Sequence, residues 1–252
     1  MFCKRKKKSI IEQWRREVNT NTRKFYEKAN DLMLKKSYKE AVSNYLNAIL
    51  IDRNNASSYF GLGICYKNLK QYSKAIKFFE TATELKDDYY EAFFELGICH
   101  LLEGIPCGAI KNFIRAIQIN PDKPEAILQL GIAHELCEEY DLALMIYQKL
   151  IENTPEFKKS YEHKSALLMK LERYKDACSV LRETLKVNPD CKNAYAGIGV
   201  CLDKLGKTSQ AQRFYRKYLS FNEISKDTNF VKNRLEKLRI LNHRENPLFV
   251  CG

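Results

Sequence analysis

The stretch SSYFGLGICYKNLKQYSKAIKFFETATEL begins at Ser57, and 34 residues later EAFFELGICHLLEGIPCGAIKNFIRAIQI begins at Glu91. Apolar letters fall in the same slots of both. Sliding the chain against itself by that step gives six copies, 22–55, 56–89, 90–123, 124–157, 158–191 and 192–225. Position 20 is Ala41, Ala75, Ala109, Ala143, Ala177 and Ala211. Position 8 is small each time: Ala29, Gly63, Gly97, Gly131, Ser165 and Gly199. Position 24 is large each time: Tyr45, Phe79, Phe113, Tyr147, Leu181 and Tyr215. A fixed period of this length marks a chain made of one supersecondary unit repeated, because a single unit cannot bury its apolar face alone.

Within a copy the apolar spacing is helical. Tyr59, Leu62, Gly63 and Tyr66 share one face, and Ala75, Phe79 and Ala82 share another. A polar or Gly-containing hinge separates the two runs. Pro121, Pro155 and Pro189 stand where the second helix of three copies should stop. The unit is therefore a helical hairpin. Small residues at positions 8 and 20 let its two backbones approach closely, and the large side chain at 24 is expected to fill space against the next hairpin.

The period, the small position 8, the alanine at 20, the large residue at 24 and the trailing proline resemble the tetratricopeptide repeat family over residues 22–225. The resemblance implies an all-α fold, a right-handed α-solenoid of six helical hairpins with an inner wall of first helices. Two departures stand out. Position 27 is Leu150, Thr184 and Tyr218 in the last three copies, where a small residue is usual, and Lys164 replaces an apolar residue in the fifth. The fifth copy is thus expected to be the weakest part of the stack. Terminal repeats need covering. Residues 1–21 are expected to form a basic tip and a capping helix with a Ser9–Glu12 capping box and a stripe of Ile10, Ile11, Trp14 and Val18. Residues 226–252 are expected to form a second capping helix, through Phe230, Val231, Leu235, Leu238 and Leu241, and an irregular tail.

The net charge is +12, which raises the question of nucleic acid, but the charge is split. Residues 1–21 carry seven Lys/Arg against two Asp/Glu, residues 56–157 nine against fifteen, and residues 192–252 twelve against five. Basic ends around an acidic middle argue against a continuous stripe for duplex binding. No apolar run reaches the ~18 residues of a membrane span. The N-terminus lacks the ~7–15-residue apolar core of a signal peptide. The nine cysteines contain no C-x-x-C, and Cys65, Cys99 and Cys201 recur at one repeat position. That pattern is expected of buried thiols in a reducing compartment, hence a cytoplasmic protein.

The resemblance implies a binding surface on the inner wall, roughly positions 2, 5, 9 and 12. The residues there are Tyr26, Asn30, Phe60, Ile64, Phe94, Ile98, Leu128 and Ile132, flanked by Glu91, Glu125 and Glu135. They read either as an apolar trough with an acidic margin, suited to a peptide or amphipathic helix with basic edges, or as packing between first helices. Two specialisations of the family do not fit. A carboxylate clamp would need a lysine where Tyr26 stands, and an asparagine ladder would need asparagines at position 6, which holds Glu27, Gly61, Glu95, Gln129, His163 and Gly197. His100 and His134 lie one period apart, but no further ligand completes a metal site. No nucleophile–base pattern or phosphate loop occurs. The reading is a non-enzymatic protein-interaction scaffold with no cofactor. An RNA or anionic-membrane binder acting through the basic termini, including Lys4 to Lys8, is the alternative, and end-to-end self-association is a third option.

Overall fold

In the computed structural model, residue 18, residues 20–221 and residues 226–245 are described; side chains of 226–227 and 239–245 are not. The described residues are helices joined by short turns, with no strand. In chain order they are α1 (20–34), α2 (Tyr38–Ile51), α3 (Ala56–Asn68), α4 (Tyr72–Leu85), α5 (Tyr90–Leu102), α6 (Pro106–Ile119) and α7 (Pro124–Leu136). Then come α8 (Tyr140–Asn153), α9 (Lys158–Lys170), α10 (Tyr174–Val187), α11 (Lys192–Lys204), α12 (Thr208–Leu219) and α13 (Lys226–Glu245). The chain divides into two units, Met1–Glu138 and Glu139–Gly252, so the division falls between the two helices of the fourth copy. The expected N-terminal capping box, Ile10, Ile11, Trp14 and the tail after 245 lie outside the described residues.

Backbone chemistry at the helix ends repeats with the same period. The residue at position 15 has positive φ in every copy: Lys36, Lys70, Gly104, Glu138, Glu172 and Gly206. A left-handed residue after a helix closes a Schellman turn, in which the next N–H reaches back five residues. Ser37 N–H donates to Leu32 O at 2.9 Å, Gln71 to Tyr66 O at 2.9 Å and Ile105 to His100 O at 2.8 Å. At the far end, Asp52, Lys86 and Asn120 cap α2, α4 and α6 with extended backbone. Proline disfavours helical geometry in the residue before it, which explains Asn120 ahead of Pro121; Asp52 and Lys86 adopt the same geometry without a proline.

Packing follows the register. All six position-20 alanines are fully buried, as are the rings of Tyr45, Phe79, Phe113, Tyr147 and Tyr215. The expectation that position 24 fills space against the next hairpin is half of what is found. Phe79 and Phe113 press on Gly63 and Gly97 of their own hairpins, while Tyr45 and Leu181 press on Gly61 and Gly197 of the next. In unit 1, Ala29, Ala41, Tyr45, Leu62 and Cys65 form one cluster across α1, α2 and α3. In unit 2 the fifth copy is the exception. Leu181 stands where other copies have a ring, and a cavity of about 260 Å³ lined by Ser165, Leu181, Thr184 and Gly197 lies beside it. Lys164 is half-buried, its Nζ donates to Gln148 Oε1, and burial lowers its pKa. The large residues at position 27, Leu150 and Tyr218, are buried. α13 covers α12, with Val231 and Leu238 buried and Phe230 exposed.

Candidate functional site

In unit 1, α3 touches α5 and α5 touches α7, so successive first helices form one face. Asn55 caps α3 by accepting from Ser58 N–H at 2.8 Å, while Pro124 starts α7, where its missing N–H costs nothing. Position 5 lies over the core ring of its own hairpin. Ring centroids are 5.9 Å apart for Tyr26–Tyr45, 5.6 Å for Phe60–Phe79 and 5.9 Å for Phe94–Phe113. Tyr26, Phe60 and Phe94 are half-buried, as are Ile64, Ile98 and Ile132. These side chains therefore do both things the sequence allowed: one edge packs on the core and the other meets solvent.

Two of the expected wall residues are committed elsewhere. Leu128 is only 3% exposed and belongs to the interior. The shorter leucine is covered where the longer rings of Phe60 and Phe94 keep an edge in solvent. Asn30 is half-buried, and its Oδ1 accepts from Tyr45 OH at 2.6 Å, so it holds the core ring in place. Among the flanking acids, Glu91 and Glu125 are exposed and Glu135 is half-buried.

Sequence reasoning missed two tyrosines and an ion pair. Tyr89, the N-cap of α5, lies 5.1 Å from Phe60, and Lys86 Nζ sits 4.7 Å above its ring. Tyr90 stacks on Phe94 at 6.0 Å. Burial, reinforced by Glu125 and Glu91, pushes the Tyr90 phenol up to about 12, so the ring sits within the field of both acids. Tyr89 and Tyr90 fall outside the 2-5-9-12 register, and their only signal was the double tyrosine ahead of Glu91. Lys67 Nζ pairs with Glu95 Oε2 at 2.6 Å, joining positions 12 and 6 of consecutive copies. Glu95 is therefore paired, and the exposed acids flanking this face are Glu91 and Glu125.

His100 is a packing residue. One ring nitrogen lies 2.9 Å from Leu96 O, and the ring fills the space beside Gly108, where a Cβ would stand 2.5 Å from Cδ2. Among the described residues no group of three His, Cys, Asp or Glu is placed to hold a metal ion. Unit 2 carries a different feature, a cavity of about 390 Å³ lined by Arg182, Tyr195, Gln210, Arg213, Phe214 and Lys217. Arg182 lies 5.3 Å over Phe214, and Lys217 lies 5.9 Å over Tyr195. No described helix is long and apolar enough to cross a membrane.

Helical hairpins of one length, closed by the same turn and packed through the same small-to-large contacts, define an all-α helical-repeat protein. Residues 56–89 match the family model for the tetratricopeptide repeat and residues 29–70 match a second described as TPR repeat. Residues 29–89 thus carry tetratricopeptide repeats. Residues 125–239 match the model for the coatomer epsilon subunit. No curated protein sequence matches the chain. Among solved structures, YrrB, described as a TPR protein with an unusual peptide-binding site, is 22% identical, with 72% of this chain and 95% of that one covered and a TM-score of 0.61. The C-terminal part of a TPR repeat-containing protein from Cytophaga hutchinsonii is 19% identical, with 77% and 78% covered and a TM-score of 0.70. PilW, a type IV pilus biogenesis factor, is 18% identical, with 83% and 97% covered and a TM-score of 0.64. At these identities the likeness is one of fold.

Proposed function

We propose that unit 1 is the recognition surface of a non-enzymatic interaction scaffold, and that it binds a peptide or amphipathic helix along α1, α3 and α5. The observation that carries this reading is the row of half-buried Tyr26, Phe60, Ile64, Phe94 and Ile98, each with an edge left in solvent. Tyr89 and Tyr90 extend the apolar surface, and exposed Glu91 and Glu125 set the charge at its edge. An apolar segment flanked by Lys or Arg is the complementary partner. YrrB, which shares the fold and has a peptide-binding site of its own, supports this use of the architecture.

The test is selection from a random peptide display library against the full chain, followed by titration of the enriched peptides. Enrichment of apolar sequences with basic flanks is expected. Glu91→Lys with Glu125→Lys should abolish their binding without moving the melting temperature, since both acids are exposed. Retained affinity in that double variant and in Phe94→Ala would refute the reading.

A second reading has one observation behind it. Arg182, Arg213 and Lys217 converge on the aromatic floor of the unit 2 cavity, an arrangement suited to RNA, whose bases stack and whose phosphates pair with cations. The basic N-terminal tip lies outside the described residues. Fluorescence anisotropy with single-stranded RNA separates the readings: binding that falls with salt and is lost in Arg213→Glu supports this one, and no binding dismisses it.

A further inference from the structure

Cys107 is the second residue of α6, and Cys137 is the C-cap of α7. The two helices pack side by side and are joined by residues 120–123, so the start of α6 meets the end of α7. Their Sγ atoms lie 3.8 Å apart. A disulfide needs about 2.05 Å, an approach of roughly 1.8 Å that side-chain torsions supply at an open site. Cys107 is exposed and Cys137 half-buried. Cys65, Cys99, Cys178 and Cys201 are buried instead, and burial pushes the thiols of Cys65, Cys99 and Cys201 up to about 12. An oxidant attacks an accessible sulfur first, and among the described residues Cys107 is the exposed one.

We propose that Cys107 and Cys137 are a peroxide-sensitive dithiol that closes to a disulfide and staples α7 to α6. The Cys107 sulfur attacks one oxygen of hydrogen peroxide, the O–O bond breaks, and a sulfenic acid forms as the other oxygen leaves as water. The Cys137 sulfur then attacks the Cys107 sulfur, the S–O bond breaks, and the second oxygen leaves as water. Two thiols lose two electrons and two protons, and one peroxide becomes two waters. The result matters for unit 1 because α7 is its last helix. The staple holds the C-terminal end of the element that carries Glu125 and Ile132. The chemistry rests on the sulfur geometry alone and is independent of the peptide-binding reading.

The experiment treats the reduced full chain with hydrogen peroxide, blocks remaining thiols with N-ethylmaleimide and maps peptides without reduction. The expected result is an intact mass lower by two hydrogens before alkylation, two fewer maleimide adducts than the untreated chain after it, and a linked peptide pair joining Cys107 to Cys137, reversed by dithiothreitol. The melting temperature of the oxidised protein should rise by about 5 °C. A variant with Cys3 and Cys251 replaced by serine should behave identically. In Cys137→Ser, Cys107 should stop at a sulfenic acid trapped by dimedone. Full alkylation of both cysteines after peroxide, a sulfinic acid at Cys107 in the unsubstituted protein, or links joining other cysteines would overturn the proposal.

Discussion

The ring of Phe79 occupies the space that a side chain at Gly63 would need. A Cβ built there would stand 2.4 Å from Phe79 Cε1. Gly97 meets Phe113 at 2.5 Å and Gly199 meets Tyr215 at 2.6 Å in the same way. Each of these glycines is thus the seat of a core ring, and these three hairpins close because position 8 there has no side chain. Gly63→Ala gains helix propensity, but overpacking outweighs the gain and should cost about 2 kcal/mol. Denaturant melts will measure it. Adding Phe79→Leu should recover part of the loss, giving a coupling of about 1 kcal/mol in a double-mutant cycle.

The loose fifth copy offers the opposite experiment. Tyr45 fits between Ala29 and Gly61, and Leu181 occupies the equivalent slot between Ser165 and Gly197, beside a cavity of about 260 Å³. Leu181→Phe should fill part of that cavity and stabilise the protein by about 1 kcal/mol, read as a higher denaturation midpoint at unchanged slope.

The hairpin turns carry a repeated conformational demand. Lys70 has φ 58° and Gly104 φ 76°, and a Cβ at Gly104 would touch nothing within 4 Å. Gly104→Ala should therefore cost about 1 kcal/mol through backbone strain alone. Lys70→Gly should stabilise by about 0.5 kcal/mol, since relief of strain exceeds the added freedom of the unfolded chain. Melting temperatures of the two variants should move in opposite directions.

α13 is held by a two-pronged ion pair. Arg234 Nε lies 2.5 Å from Asp203 Oδ2 and its second nitrogen donates to Oδ1 at 2.8 Å, while the Asp203 side chain is only 10% exposed. Arg234→Ala leaves a nearly buried carboxylate without its cation and should cost about 2 kcal/mol. Trypsin cleavage at Lys232 and Lys237 should accelerate accordingly. Arg234→Lys should restore only part of the loss, because an ammonium cannot make both bonds.

Alkaline pH should unfold the chain early. The thiols of Cys65, Cys99 and Cys201 are raised from 9.0 to about 12, and the Tyr90 phenol from 10.0 to about 12. The folded state keeps these protons while the unfolded state releases them, so the unfolded state binds fewer protons above pH 9. Their contribution is complete below pH 9 and is lost as pH rises towards 12. Unfolding free energy should fall across that window, and Cys99→Ala should make the fall shallower by at most about 1.4 kcal/mol per pH unit.

The sequence by itself determined the period, the hairpin, the helix-stopping prolines and the burial of the six position-20 alanines. All of these depend on which face of a helix is apolar, and a 3.6-residue periodicity records that directly. It also marked the fifth copy as irregular through Lys164, although the cavity beside Leu181 could only be seen once neighbouring helices were in place. Tertiary structure alone decided that Leu128 is interior while Phe60 and Phe94 keep an exposed edge. It alone brought Lys67 to Glu95, Asp203 to Arg234 and Cys107 to Cys137. Those partners lie about thirty residues apart on different helices. Whether such groups touch depends on how the helices are offset and rotated against one another, which the apolar pattern of either helix does not encode.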